Sequence, residues 1–384
     1  MTDLDLKQIN RVLLYIFVFS IAFEKAFPFL PGLSFPKAAS IIYVISLCMN
    51  QDYLRLLLRG KVNSVVLALF GTFLLTNIFN GGLFGSETVK PLNVSFVLNT
   101  VLVWVLLHHE KLDPRVLGRT MIFFSIGYLL LVLAHYLGFS QTDITGRVFI
   151  GSALPNNLGI NGVVAICGLL IFANNTNVIS ILRTSFILLA ALLTLTLVLA
   201  TGSRSALLSF VVVILIYFAH SRKSMQLLCL TAAIALFPLA VETFSVLADR
   251  VISTVANVEL GGRIAIYLFV FNVILSNFIF GVGRSGYDAL AELQFGFSPS
   301  PHNVFLEVFL YGGIWAGILW LFVIYKVCSI AFGKYKILGQ HSSLLLFLPL
   351  LMNAMSGQIF NNSLMFLLIA IIIADEAKVL KTAA

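Results

Sequence analysis

The sequence predicts an all-α polytopic membrane protein with about 12 transmembrane helices and one large external loop containing an interfacial helix. Three observations carry that prediction. Hydrophobic residues make up 60% of the 384 and charged residues only 10%, with a mean hydropathy of +1.02, whereas a soluble domain is about a quarter charged. The apolar residues fall into runs near the roughly 17 to 25 residues that a spanning helix needs. Lysine and arginine gather in every second connection, as the positive-inside bias requires.

The spans are expected near 11–29, 36–49, 62–80, 92–108, 118–138, 156–173, 180–200, 205–219, 225–245, 304–325, 343–357 and 361–374. The run from Val12 follows the mixed-charge segment MTDLDLKQIN, and no small-residue cleavage pattern comes after it, so it reads as a retained span and not as a removed signal. With the N-terminus inside, the inner connections hold Arg55, Arg59 and Lys61, then Lys111 and Arg115, then Arg183, then Arg222 and Lys223, then Lys334 and Lys336. The outer side keeps only Lys25, Lys37, Lys90, Arg147, Arg204, Arg250, Arg263 and Arg284 of the 24 basic residues. Both termini are therefore expected in the cytoplasm.

The apolar stretch 264–280 is interrupted by Asn272, Ser276 and Asn277, and a span there would turn the loop of Lys334 and Lys336 outward. It is expected to lie in, or dip into, the outer interface within a loop covering 246–303. No fixed-period repeat and no low-complexity linker divides the chain, which reads as one membrane domain over 1–384. The net charge of +8 is spread as topological charge and does not form a nucleic-acid surface. Cys48, Cys167, Cys229 and Cys328 sit far apart in apolar runs, as small core residues do.

Residues able to do chemistry crowd the outer face. Arg204 stands in the short connection TGSRS, where Gly202, Ser203 and Ser205 allow a tight turn with backbone N–H groups beside the guanidinium, a setting that suits an anion. A topological anchor would account for Arg204 taken alone. Arg263 follows Gly261 and Gly262 at a helix start, where the helix end favours negative charge. Arg284 in GVGRSG and Arg147 in DITGRV repeat the pattern of arginine among small residues. The planar fork of arginine binds two phosphate oxygens at once, so four such arginines suggest a phosphate-bearing substrate. GVGRSG also matches a dinucleotide fingerprint in form, but no βαβ unit surrounds it, and a turn back towards the membrane is the expected use of its glycines.

His302 lies in SPSPHN, where Pro299 and Pro301 stiffen the approach and Asn303 can cap the helix that follows. A polar residue at a helix entrance is the plain reading, yet His302 is also the outer residue best suited to accept a proton near neutral pH. His135 lies near the outer end of a span. The outer carboxylates show no metal-type spacing with a histidine, and neither a metal nor another cofactor is expected.

TGSRSALLSF, GGRIAIYLFVFNVILSNFIFGVGRSGYDAL and SPHNVFLEVFLYGGIWAGIL, with a weaker GRVFIGSALPNNLGI upstream, together resemble the O-antigen ligases and the related O-antigen polymerases of bacterial envelopes. The resemblance covers the second half of the chain. It implies an inner-membrane glycosyltransferase of polysaccharide or lipopolysaccharide biosynthesis with a periplasmic active site. The donor would be a glycan on undecaprenyl diphosphate. The acceptor would be lipid A–core for a ligase, or a second lipid-linked glycan for a polymerase. The resemblance links Arg204 and Arg263 to the diphosphate and His302 to acceptor activation; Arg284, Arg147 and Asn303 are further candidates for binding substrate. Attack opposite the diphosphate would invert the anomeric centre. A secondary transporter of an anionic substrate is the alternative of another class, disfavoured because ionisable residues crowd one face and almost none lie at mid-membrane.

Overall fold

The computed structural model describes residues 3–26, 28–30, 33–59, 62–78, 90–113, 116–143, 146–174, 181–220, 261–357 and 362–376. Among them the chain is helical apart from two short hairpins. Helix α1 (Asp3–Ile21) leads through a turn to strands β1 (Pro28–Leu30) and β2 (Leu33–Ser34). Then come α2 (Phe35–Met49), α3 (Gln51–Arg59), α4 (Ser64–Ile78), α5 (Lys90–Leu112) and α6 (Val116–Tyr136). A second hairpin, β3 (Gln141–Thr142) with β4 (Val148–Phe149), precedes α7 (Pro155–Asn174), α8 (Ile181–Ala200) and α9 (Arg204–His220). The chain closes with α10 (Gly261–Ser276), α11 (Gly283–Phe295), α12 (Val304–Leu338), α13 (Ser342–Ser356) and α14 (Ser363–Ala374).

Three helices are long and apolar enough to cross a bilayer by length and composition, namely Val116–Tyr136, Pro155–Ala173 and Val304–Leu338. Seven shorter apolar helices accompany them among the described residues. The expected span over 225–245 lies outside the described residues, as does Cys229.

Helix α14 shows why composition alone reads as helix here. Its segment SLMFLLIAIII is apolar all round, and every residue from Ser363 to Ile373 is buried, as a helix without a polar face must be. It packs against α5, α12 and α13. Around this centre α12 lies along α4, α7 meets α6, α8 and α9, and α1 meets α2 and α6. Hydroxyls join α6 to α7: Ser125 Oγ donates to the Ala165 carbonyl and Tyr128 Oη to the Leu158 carbonyl, both at 2.8 Å. With no water in a bilayer core, such groups need partners inside the protein.

Two expected boundaries shift. The first helix ends at Ile21 and not at 29, because Pro28 and Pro31 cannot donate to a helical ladder. The span expected over 304–325 runs on to Leu338 and is broken near its start, with Gly313 at φ 66°, ψ −162°. Beyond the break, residues 314–338 extend about 37 Å at 1.5 Å per residue. Cys167 is buried as expected, whereas Cys48 is exposed.

The break is filled by an earlier piece of the chain. In an unbroken helix the Ile314 N–H would donate to the Leu310 carbonyl; instead Ile314 donates to Phe278 and Val282 donates to Leu310, each at 2.8 Å. Two of the backbone groups freed at the kink, the Ile314 N–H and the Leu310 carbonyl, thus find partners in the strap formed by residues 278–282. A Cβ on Gly313 would sit 2.3 Å from the Ile279 carbonyl oxygen, and one on Gly281 2.6 Å from the Gly313 nitrogen. Only glycine lets the two backbones approach this closely. The glycines of GVGRSG therefore make a turn against α12.

Candidate active site

Of the side chains that the sequence singled out, Arg147, Arg204, Arg284, His302 and Asn303 fall into two groups. The first is built on the β3–β4 hairpin. The Asp143 N–H donates to the Arg147 carbonyl at 3.0 Å, and the Arg147 N–H donates to Asp143 Oδ1 at 3.0 Å, closing the turn. This aims the Arg147 guanidinium at α7 and α8, where its Nε donates to the Thr201 carbonyl at 2.9 Å and its Nη2 to Asn156 Oδ1. Thr201 follows the last residue of α8, and Gly202 (φ 57°) turns the chain into α9. Ser203 Oγ accepts from the Ala206 N–H at 3.3 Å, so a serine caps α9. Arg204, the first residue of that helix, is exposed. Arg147 thus braces the turn that presents Arg204, two residues 57 positions apart in the chain.

The second group sits on the strap and the broken helix. Arg284 opens α11 and donates from Nε to Asp288 Oδ2 at 3.0 Å and from Nη1 to the Tyr311 hydroxyl at 2.9 Å. Burial works against its charge, but Tyr311 and Asp288 outweigh it and hold the guanidinium's pKa above its ordinary value. Ser298 Oγ donates to Asp288 Oδ1, and the Tyr287 hydroxyl donates to the Pro299 carbonyl. These bonds tie α11 to the loop that carries His302.

His302 has φ 47°, in the left-handed region that residues other than glycine seldom occupy, and such strain concentrates at functional sites. Its N–H donates to Ser300 Oγ at 3.3 Å, and Ser300 Oγ donates in turn to Glu307 Oε1 at 3.3 Å. Asn303 caps α12: its Oδ1 accepts from Phe305 N–H at 3.0 Å and Leu306 N–H at 3.2 Å. Glu307 is fully buried in the first turn of that helix, where the helix end favours its charge.

The groups are joined through the turn after α1. The Lys25 carbonyl accepts from the Ser152 N–H at 3.0 Å, beside the hairpin, and the Lys25 ammonium lies within the field of Glu307. Glu24 accepts from the Ser363 N–H at 3.2 Å and from its hydroxyl, placing the start of α14 at the same end. Arg263 lies in the first turn of α10, with its side chain outside the described residues. His135 pairs with Ser140 at 2.7 Å. Among the described residues no three His, Cys, Asp or Glu side chains gather as a metal site would require.

Residues 189–321 match the model of the O-antigen ligase family. Over that segment, about a third of the chain, the sequence is similar to the O-antigen ligases. No curated protein matches the chain. The matched O-antigen ligase segment runs from within α8 to within α12, so it encloses Arg204, Arg263, Arg284, His302 and Asn303, together with the strap and the break at Gly313. Arg147 and Lys25 lie before it. The match supports a membrane glycosyltransferase-like function.

Glu307, Tyr311, Asp288 and Lys25 were not singled out by the sequence. The first two read as part of an apolar span, although a carboxylate five residues after His302 is visible in PHNVFLEV. For Lys25 there was no local signal.

Proposed function

We propose that the protein is an O-antigen ligase that moves a glycan from undecaprenyl diphosphate to a sugar hydroxyl of lipid A–core, at the periplasmic face of the bacterial inner membrane. The observation that carries this reading is the O-antigen ligase match over 189–321, whose span takes in Arg204, Arg263, Arg284 and His302.

In the proposed reaction the acceptor oxygen forms a bond to the anomeric carbon while the bond from that carbon to the diphosphate oxygen breaks. Undecaprenyl diphosphate leaves with the electron pair, and the acceptor's proton passes to His302. Negative charge grows on the leaving group, and Arg204 and Arg263 stabilise it as it forms, with Arg284 in support. Arg147 serves by bracing the Arg204 turn, and Asn303 by fixing the helix start next to His302. Attack from the face opposite the diphosphate inverts the anomeric centre, and no metal takes part. The twelve-span topology, both termini in the cytoplasm and the periplasmic loop 246–303 belong to the same reading.

The test is a product assay on reconstituted protein with the undecaprenyl-diphosphate glycan, with or without lipid A–core, in EDTA. Glycan on lipid A–core is expected, and His302→Ala should slow its formation by about 10²–10⁴-fold. Lengthened lipid-linked chains without core would make the protein a polymerase instead. No product from either mixture would overturn the glycosyltransferase reading in favour of transport.

A further inference from the structure

At the Asp375 end of α14, away from Glu24 and the start of that helix, a cavity of about 610 Å³ opens among the ends of α5, α6, α12, α13 and α14. Protein interiors are packed like organic crystals, and pockets that take small molecules run from about 300 to 1,000 Å³. The space is therefore of ligand size, and its lining is divided. The charged residues Glu110, Arg119, Lys334 and Asp375 sit in or beside terminal turns, whereas Met121, Leu346 and Ile371 lie farther along their helices. Leu346 is one turn into α13 from Ser342, and Ile371 one turn into α14 from Asp375, so apolar lining begins about 6 Å inward of the polar end. Charge outermost and apolar surface one turn inward is the polarity of a membrane lipid in the leaflet at that end.

The four charges cancel, and Lys334 and Asp375 already bond one another. That leaves one cation and one carboxylate. The Arg119 guanidinium is exposed and meets the neutral Tyr15 hydroxyl, and among the described residues no carboxylate pairs with it. Glu110 is held in place by the Leu117 N–H, which donates to its Oε2 at 2.9 Å. A guanidinium fork matches phosphate oxygens, and a carboxylate accepts from an ammonium. A missing side chain also keeps the cavity open. Gly118, in the first turn of α6, lines it, and a Cβ there would meet nothing within 4 Å. Glycine weakens a helix, and elsewhere in α6 and α7 it makes room for packing. A Cβ on Gly127 would lie 2.5 Å from the Phe19 carbonyl oxygen, and one on Gly168 2.4 Å from Ser125 Oγ. At Gly118 no neighbouring group needs the room.

We propose that this cavity is a lipid site that takes the headgroup of a zwitterionic phospholipid, its phosphate on Arg119 and its primary amine on Glu110, with the start of the acyl chains against Met121, Leu346 and Ile371. Pockets between helix ends at the membrane surface bind headgroups by the same charge matching. In the orientation of the ligase reading the lipid belongs to the cytoplasmic leaflet, but its binding does not depend on glycan transfer.

The test is native mass spectrometry of the full chain in detergent, titrated with phosphatidylethanolamine, phosphatidylcholine or phosphatidylglycerol. One phosphatidylethanolamine is expected to bind about tenfold more tightly than either other lipid. Phosphatidylcholine keeps the phosphate but its quaternary amine has no N–H to donate, and phosphatidylglycerol has no amine. Glu110→Gln, which keeps an acceptor for the Leu117 N–H, should erase that preference, and Arg119→Ala should weaken all three lipids. Gly118→Leu extends a side chain into the open space and favours the helix, so it should abolish the tight site without lowering the unfolding midpoint. Equal retention of the three lipids by the parent, or tight binding that survives both Arg119→Ala and Gly118→Leu, would overturn the lipid site. Soluble glycerophosphoethanolamine competing as well as the lipid would overturn it in favour of a free phosphoamine. Each of these results leaves the glycan-transfer assay, and with it the ligase reading, to stand or fall separately.

Discussion

Lys334 is buried and Lys25 half-buried, at opposite ends of the short helix Ser363–Ala374, and the protein treats them differently. Lys334, with 8% of its side chain exposed, donates to Asp375 Oδ2, to Ser342 Oγ at 3.0 Å and to Ser343 Oγ at 3.2 Å. Ser343 Oγ in turn donates to Asp375 at 2.8 Å. All three ammonium protons are used. Lys25 has two carboxylates nearby and, among the described residues, no hydrogen-bond partner. A cavity of about 610 Å³ opens beside Lys334, whereas the recess beside Lys25 is about 30 Å³. The larger space is lined by an ion pair already satisfied; the smaller one is lined by half-buried polar groups that keep access to solvent.

That contrast breaks first at Lys334. Lys334→Met leaves Asp375 buried without its counter-ion, and an uncompensated buried charge costs about 3–5 kcal/mol. Thermal unfolding in detergent should show that loss, and the double variant Lys334→Met with Asp375→Leu should recover most of it. A single variant as stable as the parent would mean the pair is not the lock described.

At the other end, Gly313→Ala places a Cβ 2.3 Å from the Ile279 carbonyl in a backbone conformation that only glycine adopts freely. A loss of about 2 kcal/mol or more is expected, together with lower transferase activity, because the strap positions Arg284. Normal activity in that variant would uncouple the strap from the site.

The smallest effect sharpens the comparison most. Burial holds the Lys25 pKa below its ordinary value, so folding disfavours its protonated form. The cost is greatest at the acid end and fades as pH climbs towards the ordinary lysine value. Lys25→Met should therefore raise the unfolding free energy slightly, by less than about 1 kcal/mol, more at pH 6 than at pH 10. A midpoint that falls, or that rises equally at both pH values, would show Lys25 to be a structural partner and not an idle donor.

These features differ in how far the sequence disclosed them. The helices were legible because apolar runs have no alternative in a bilayer, and the Asn303 cap was legible because a proline-stiffened polar stretch meets an apolar one. Arg204, Arg284 and His302 stood out as rare ionisable residues among small or rigid ones. The break in α12 was hidden, because LYGGIW stays apolar through it and the strap that fills it lies some thirty residues earlier. The recess was hidden more deeply: its side chains are single residues from four segments, each ordinary in its own context. The bracing of Thr201 by Arg147 likewise depends on packing between a hairpin and a helix end, which no local pattern encodes.

The strap has a consequence for biosynthesis. Residues 278–282 leave the ribosome before Val304–Leu338, so the filler is made before the gap it fills. Residues 314–338 are long enough to enter a membrane on their own, but the Ile314 and Val282 amides reach their partners only when the earlier loop docks against the inserted helix. Insertion and site assembly are thus separate events in the protein's maturation. The Arg284–Tyr311 bond that spans α11 and α12 can form only in the later one.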